Sequence, residues 1–429
     1  MLKKSVVETV KSQKSFKSLS LWLSLCLGLA ACQQNKQPEP TGTVQVQIPL
    51  SASVNGQVEY KLQNVYLQKI ESLRNVRGGY AQFYYAPGLK NNSLDGYSPV
   101  AYFIEAAQSL FVPKDDLSTQ MATLYYHFQS LVQFSQAMGL ADVTTQPVQV
   151  AIQAKVMDES QGVMLDNAFF DGRSKAFVFV RYSLNDLPIS VNGGIVAHEY
   201  FHSIFYNLVY EVMKKTNLPV AQKIRDETLH QDVAVTDKVT TQDLFNETYL
   251  RGLNEGLADF WAWVYTTDSN FLKWSLPAYS KSRVLNVNDR EYWDRQKIEN
   301  TVTLAFISDE NPTSYLGRNA IYQVGTGYAR FLKQLSELKS SEQKISLADA
   351  KFVVANQLVE FLKTLPVQAG KLTNADVFDV TSLFTFMNQS KSVLSQKECV
   401  LIKDYLSFNN TADKYECVVD KNSYKVVKK

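Results

Sequence analysis

Apolar and polar residues alternate with period two over Val44-Gln45-Val46-Gln47-Ile48, and in part over Tyr80-Ala81-Gln82-Phe83-Tyr84-Tyr85. Successive side chains of a strand point to opposite faces, so this alternation predicts half-buried strands. Gly78-Gly79 and Pro87-Gly88 punctuate the pattern as turns. Together they predict a small β-rich N-terminal region over residues 44–110. The period then changes. Residues 116–138 carry an apolar stripe of Leu124, Phe128, Leu131, Val132 and Phe134, with Asp115 or Ser118 placed to cap a helix. Strands are predicted at 148–152 and 176–180, with a turn signal, Phe169-Phe170-Asp171-Gly172, between them. Strands leading into a helix near residue 198 predict an α+β lobe over 111–205. A polar helical insertion is expected over 206–245. Helical spacing at 321–338, 347–365 and 378–387 predicts a helical lobe within 246–429.

The first 43 residues read differently. Lys3, Lys4, Lys11, Lys14 and Lys17 precede an apolar run at 19–31 that is too short to span a bilayer as a helix, so residues 1–31 are expected to be a signal peptide. The run ends Leu29-Ala30-Ala31-Cys32, which resembles a bacterial lipobox. That resemblance implies acylation of Cys32 and anchoring at the bacterial cell envelope, with Gln33 favouring the outer membrane. An ordinary secretory signal is the alternative. Residues 32–43 are polar, with two Pro and no apolar run, and read as a tether.

The candidate chemistry lies in Ile195-Val196-Ala197-His198-Glu199-Tyr200-Phe201-His202. Helix positions four apart share a face, so His198 and His202 can aim two imidazole nitrogens at one ion. Glu199 lies one step round, placed to act on a water rather than to ligate. This His-Glu-x-x-His pattern suits a catalytic zinc with the Glu as general base. The chain holds four His, and two fall in this single turn. His127, beside Tyr125 and Tyr126, reads as a packing residue. Downstream, Asn254-Glu255-Gly256-Leu257-Ala258-Asp259 sets two carboxylates four apart among Leu253, Leu257, Phe260, Trp261 and Trp263. Glu255 is the candidate third ligand, and Asp259 can accept the N–H of a ligating His. A solvated amphipathic helix is the bland alternative.

His-Glu-x-x-His followed by Asn-Glu-x-x-x-Asp resembles the gluzincin metallopeptidases, most of all the thermolysin-type and fungalysin-type members. The resemblance implies a two-lobe peptidase with a zinc cleft between an α+β lobe and a helical lobe. It also implies a His₂Glu ligand set. Asn167-Ala168-Phe169 is similar to the edge-strand segment of those enzymes, which implies that Asn167 binds substrate backbone and that Ala168 pairs with the peptide as an added strand. Two departures stand out. Residues 203–254, 52 in number, separate His202 from Glu255, far more than is usual, and the excess, with His230 in it, is expected to form a rim or lid. No His follows His230, so the transition-state His of thermolysin-like chains has no counterpart. Tyr322 falls about where it would lie, and a phenol can donate the same hydrogen bond. A core aromatic is the alternative reading of Tyr322. Arg283 or Arg318 is expected to bind the substrate carbonyl beyond the scissile bond.

Composition narrows the field further. With 429 residues, 45% hydrophobic, the chain can bury a large core in two or three lobes. The net charge is +2, but residues 1–31 hold five Lys and one Glu, so the remainder carries −2. That balance argues against nucleic acid as a partner. Setting Cys26 and Cys32 aside leaves Cys399 and Cys417, expected to pair in an exported protein. The expectation is a monomeric, lipid-anchored zinc endopeptidase acting on protein or peptide substrates. An aminopeptidase is disfavoured because no Gly-x-Met-Glu-Asn loop is present. A binding lipoprotein on a decayed peptidase fold is the rival from another class.

Overall fold

Two five-stranded sheets frame the first half of the chain. The computed structural model describes residues 40–54, 57–90, 93–106, 109–144, 146–158, 162–215, 240–286, 293–308, 320–373, 375–390, 393–407, 414–421 and 423–429. The strands before the first helix are β1 (Gly42–Val54), β2 (Gln57–Ser72), β3 (Arg77–Gly78), β4 (Ala81–Lys90), β5 (Ser93–Tyr97), β6 (Phe103–Glu105) and β7 (Leu110–Pro113). Helix α1 (Asp116–Ala137) follows, then β8 (Val148–Ala154), a small ribbon of β9 (Met157–Asp158) and β10 (Gly162–Val163), β11 (Ala168–Asp171) and β12 (Ala176–Val180). The fold is mixed α/β.

The first sheet runs β3-β2-β1-β7-β6, and the second runs β11-β12-β8-β4-β5. In the second, β4, β8 and β12 are mutually parallel, while β5 and β11 close the edges antiparallel. Parallel strands covered on both faces read as unbroken apolar runs. β12 does so: all five residues are buried, with Phe177 and Phe179 in the main core and Val178 and Val180 in a smaller cluster with Ala151 and Ala154. β4 and β5 come from the region before residue 110, so the boundary expected there cuts through this sheet.

Helix α1 is capped by Asp115, which accepts from Ser118 N at 2.8 Å. It packs Phe128 on Phe177 at 4.7 Å and ties to the first sheet through Tyr125 Oη, which donates to Gln68 O at 2.7 Å. His127 is a packing residue. Its Nδ1 pairs with Tyr265 Oη at 2.9 Å, and burial pulls its pKa down to about 4.

Helix α2 (Gly193–Phe205), which carries His198 and His202, lies under the second sheet, with Tyr200 stacked on Phe177. Helix α3 (Thr241–Thr266) begins inside the expected insertion, on a capping box of Thr240 and Asp243. Its last carbonyls, Trp263 O and Val264 O, accept from buried Lys351 Nζ at 3.0 and 3.3 Å. Beyond it come α4 (Arg295–Ser308), α5 (Ala320–Gln343), α6 (Leu347–Ala369), α7 (Ser382–Gln389) and α8 (Gln396–Leu406). A hairpin of β13 (Tyr415–Asp420) and β14 (Ser423–Lys428) ends the chain, and a disulfide joins Cys399 to Cys417.

Three local expectations change. Pro87-Gly88 lies within β4 rather than in a turn, and the β4–β5 pairing shifts register there. Phe169, Phe170 and Asp171 belong to β11, and the turn begins at Gly172. The helix expected at 378–387 starts only at Ser382, because Asp379 accepts from Thr381 N and Oγ1 and holds a turn ahead of it. Cys32, His230 and Arg318 lie outside the described residues. Among the described residues, no helix is long and apolar enough to cross a membrane.

Candidate metal centre

Helix α2 starts on Asn192, whose Oδ1 accepts from Gly194 N at 3.1 Å and Ile195 N at 3.4 Å. Every residue of α2 except His202 is buried. One turn apart, His198 and His202 bring their Nε2 atoms within 3.0 Å. Helix α3 packs against α2 and presents Glu255 to both. Oε2 lies 3.2 Å from His198 Nε2, and Oε1 lies 3.7 Å from His202 Nε2. A tetrahedral ion with bonds of about 2.0–2.1 Å has ligand–ligand edges of roughly 3.3 Å. The three observed separations bracket that edge. His198, His202 and Glu255 can therefore hold a metal ion.

The far nitrogens of both rings are engaged. His198 Nδ1 pairs with Asp259 Oδ1 at 3.0 Å, and His202 Nδ1 pairs with Asn254 Oδ1 at 3.0 Å. A carboxylate or amide oxygen there accepts, so in its neutral form each ring carries its proton on Nδ1 and turns the Nε2 lone pair inward. Asp259 is itself gripped by Arg283, through Nε at 2.9 Å and Nη2 at 2.6 Å. The same guanidinium reaches Glu255 Oε2 at 3.6 Å and lies over the Tyr322 ring at 4.4 Å.

Glu255 and Asp259 meet the Arg283 guanidinium, and Glu199 lies within reach of its charge. Protons held on His198 and Glu199 complete the balance. Burial pulls the His198 imidazole down, but hydrogen bonds to Asp259 and then Glu255 outweigh it and hold the pKa up at about 9. Burial pushes Glu199 up to about 8, and the charge of Glu255 adds to the rise. For Glu255, burial acts upward but His202 and His198 prevail and hold it well below the carboxylate range. Burial draws His202 down to about 4. A buried cluster that is neutral only while His198 and Glu199 hold protons suits a cation, whose binding displaces them.

Glu199 accepts from the Phe170 N–H of β11, which sets the edge strand of the second sheet beside the carboxyl. Ala168 is buried on that strand and Asn167, just before it, is exposed. Tyr322 stands in the first turn of α5, where the charge of Glu255 and then burial push its phenol upward and keep the proton on oxygen. Its nearness to Glu255 depends on glycine. A Cβ on Gly256 would lie 1.9 Å from Gly325 O, and one on Gly325 would lie 2.2 Å from Gly252 O, so α3 and α5 cross with their backbones in contact.

Two residues missed in the sequence join the site. Asn254 holds His202, and its place beside Glu255 was the available signal. Tyr210 ends a π-helical turn, Tyr206–Tyr210, that prolongs α2. Its buried hydroxyl has no hydrogen-bond partner among the described residues, and burial, then Arg251, Glu247 and Glu255, act on it. No local pattern marks that residue. Of the two candidate arginines, Arg283 is at the centre. A scan against models of protein families and a search of curated proteins both return no match to this chain.

Proposed function

We propose that this chain is a zinc-dependent endopeptidase of gluzincin type, anchored by lipid at Cys32 to the bacterial envelope and acting as a monomer on protein or peptide substrates. The observation that carries the reading is the convergence of His198, His202 and Glu255 at 3.0, 3.2 and 3.7 Å, with Glu199 beside them and not among the ligands. Two imidazoles and one carboxylate are a catalytic zinc set that leaves a position for solvent. Zinc held there supplies a Lewis acid and an acidified water.

The protein's own groups do the rest. Glu199, ionised once a cation stands beside it, would take a proton as the water oxygen adds to the scissile carbonyl, then give it to the leaving amine as the C–N bond breaks. Tyr322, kept protonated, donates to the oxygen on which charge develops. Arg283 fixes Asp259 and thereby His198, and it or Arg318 is assigned to the carbonyl beyond the scissile bond. The free edge of β11 takes the peptide as an added strand through Ala168, with Asn167 binding its backbone.

Glu199→Gln should keep about one zinc per chain and lose at least about 100-fold in casein cleavage, as removal of a general base does. Wild-type cleavage by this variant would end the proposal. One observation favours a binding lipoprotein instead: no His follows His230. Bound zinc with no cleavage across a broad peptide library would select that reading. Faster cleavage of peptides with a free amino terminus than of blocked ones would select an aminopeptidase.

A further inference from the structure

The start of the metal helix is finished from far away in the chain. Asn192 is wholly buried and its side chain is fully used. Nδ2 donates to Phe271 O at 2.9 Å and Ser275 Oγ at 3.0 Å, while Oδ1 takes the two helix N–H groups. That same oxygen accepts from Tyr60 Oη at 3.2 Å, from strand β2, 132 residues earlier. The Tyr60 oxygen in turn accepts from the Gly193 N–H, another of the unpaired donors at a helix start.

The Tyr60 ring lies edge-on to Trp274 at 5.7 Å, and Trp274 Nε1 donates to Asp268 Oδ2 at 2.8 Å. Trp274 ends a short 3₁₀ turn, Phe271–Trp274, that backs the centre. Phe271 faces the His198 ring at 6.3 Å, and a Cβ on Gly194 would strike its Cβ at 2.4 Å. Two paths thus run from the β1–β2 hairpin to His198, one through the helix start and one through the turn behind the ring. A helix moves as a rod, and Asn192 is about 9 Å from His198 along the axis, so a small rotation at the cap displaces both imidazoles.

We propose that Tyr60 is a positioning residue of the metal centre, and that the N-terminal strands are a working part of the protein rather than a segment discarded before activity. This rests on the zinc reading above. The test compares Tyr60→Phe with Tyr66→Phe, a change at an exposed residue of the same strand. Zinc affinity is read by chelator competition, amide exchange at Gly194 and Ile195 is read with and without zinc, and kcat and KM are read on a peptide. Tyr60→Phe should lose about 3- to 10-fold in zinc affinity, exchange Gly194 and Ile195 faster by a similar factor, and lower kcat with KM unchanged. Tyr66→Phe should match wild type throughout. Wild-type affinity and exchange in Tyr60→Phe would overturn the inference. A wild-type protein that binds no zinc would remove the function proposed above, and exchange in the metal-free protein would still decide whether Tyr60 holds the helix start.

Discussion

Lys339 and Glu398 face each other at 2.7 Å with side chains 1% and 0% exposed. The contact lies off the hydrogen-bond direction, so it holds by charge. One positive group meets one negative group, and the sum is zero. The second carboxylate oxygen of Glu398 accepts from Ser395 N at 2.6 Å, which closes the cap of α8. The centre between α2 and α3 is also largely buried, but there Arg283 meets both Glu255 and Asp259, and Glu199 lies within reach of its charge. Both clusters are desolvated, and only one is balanced by its fixed charges alone. That pair is complete as a structural clamp between α5 and α8. The other reaches neutrality only with protons held on His198 and Glu199, and a cation can replace them. Burial of charge alone therefore does not separate the two clusters, whereas the need for held protons does.

That contrast can be broken from either side. Glu199→Gln has the largest expected effect, the loss of casein cleavage with zinc retained. Next, Lys339→Met should cost about 3–5 kcal/mol of stability by leaving Glu398 charged and buried, and it should leave the zinc content unchanged. Pairing it with Glu398→Leu should recover most of the loss. Calorimetry on the two variants checks this, and a single-variant loss under about 1 kcal/mol would contradict the clamp.

His127 sharpens the contrast with a smaller effect. Among the described residues, Tyr265 and Val191 supply it with hydrogen bonds and no charge, and burial holds it near 4 in the fold against 6.5 unfolded. A depressed folded pKa keeps the neutral form. Its contribution is therefore intact above about 6.5 and is lost as pH falls toward 4, on the order of 3 kcal/mol by linkage. Urea titrations at pH 7 and pH 4.5 should show a smaller acid loss in His127→Gln than in wild type. Equal losses would show that His127 is not the group responsible.

How much of this could be read from the chain follows from range. His198 and His202 were legible because helical spacing is local. Glu255 and Asp259 were legible as a second local pattern, although only the family resemblance, and no local spacing, joins it to the first. The place of Arg283 needed the fold, since its contact with Asp259 joins residues 24 apart, and Arg318 lies outside the described residues. The second sheet was hidden for the same reason: β4 pairs with β8 across α1, and alternation within either strand says nothing of its partner. Tyr60 was the least legible. Leu50 pairs with Lys61, so Tyr60 points away from the face that buries Leu50, and period-two reasoning sends it to solvent. It docks on Asn192 instead.

Zinc content of the purified protein tests the central claim most directly, measured by elemental analysis after dialysis against a mild chelator, for wild type beside Glu255→Gln. The account predicts about one zinc per wild-type chain and at least about a tenfold loss when the anionic ligand is removed. A wild-type chain without zinc, or a Glu255→Gln variant that holds as much zinc as wild type, would contradict it.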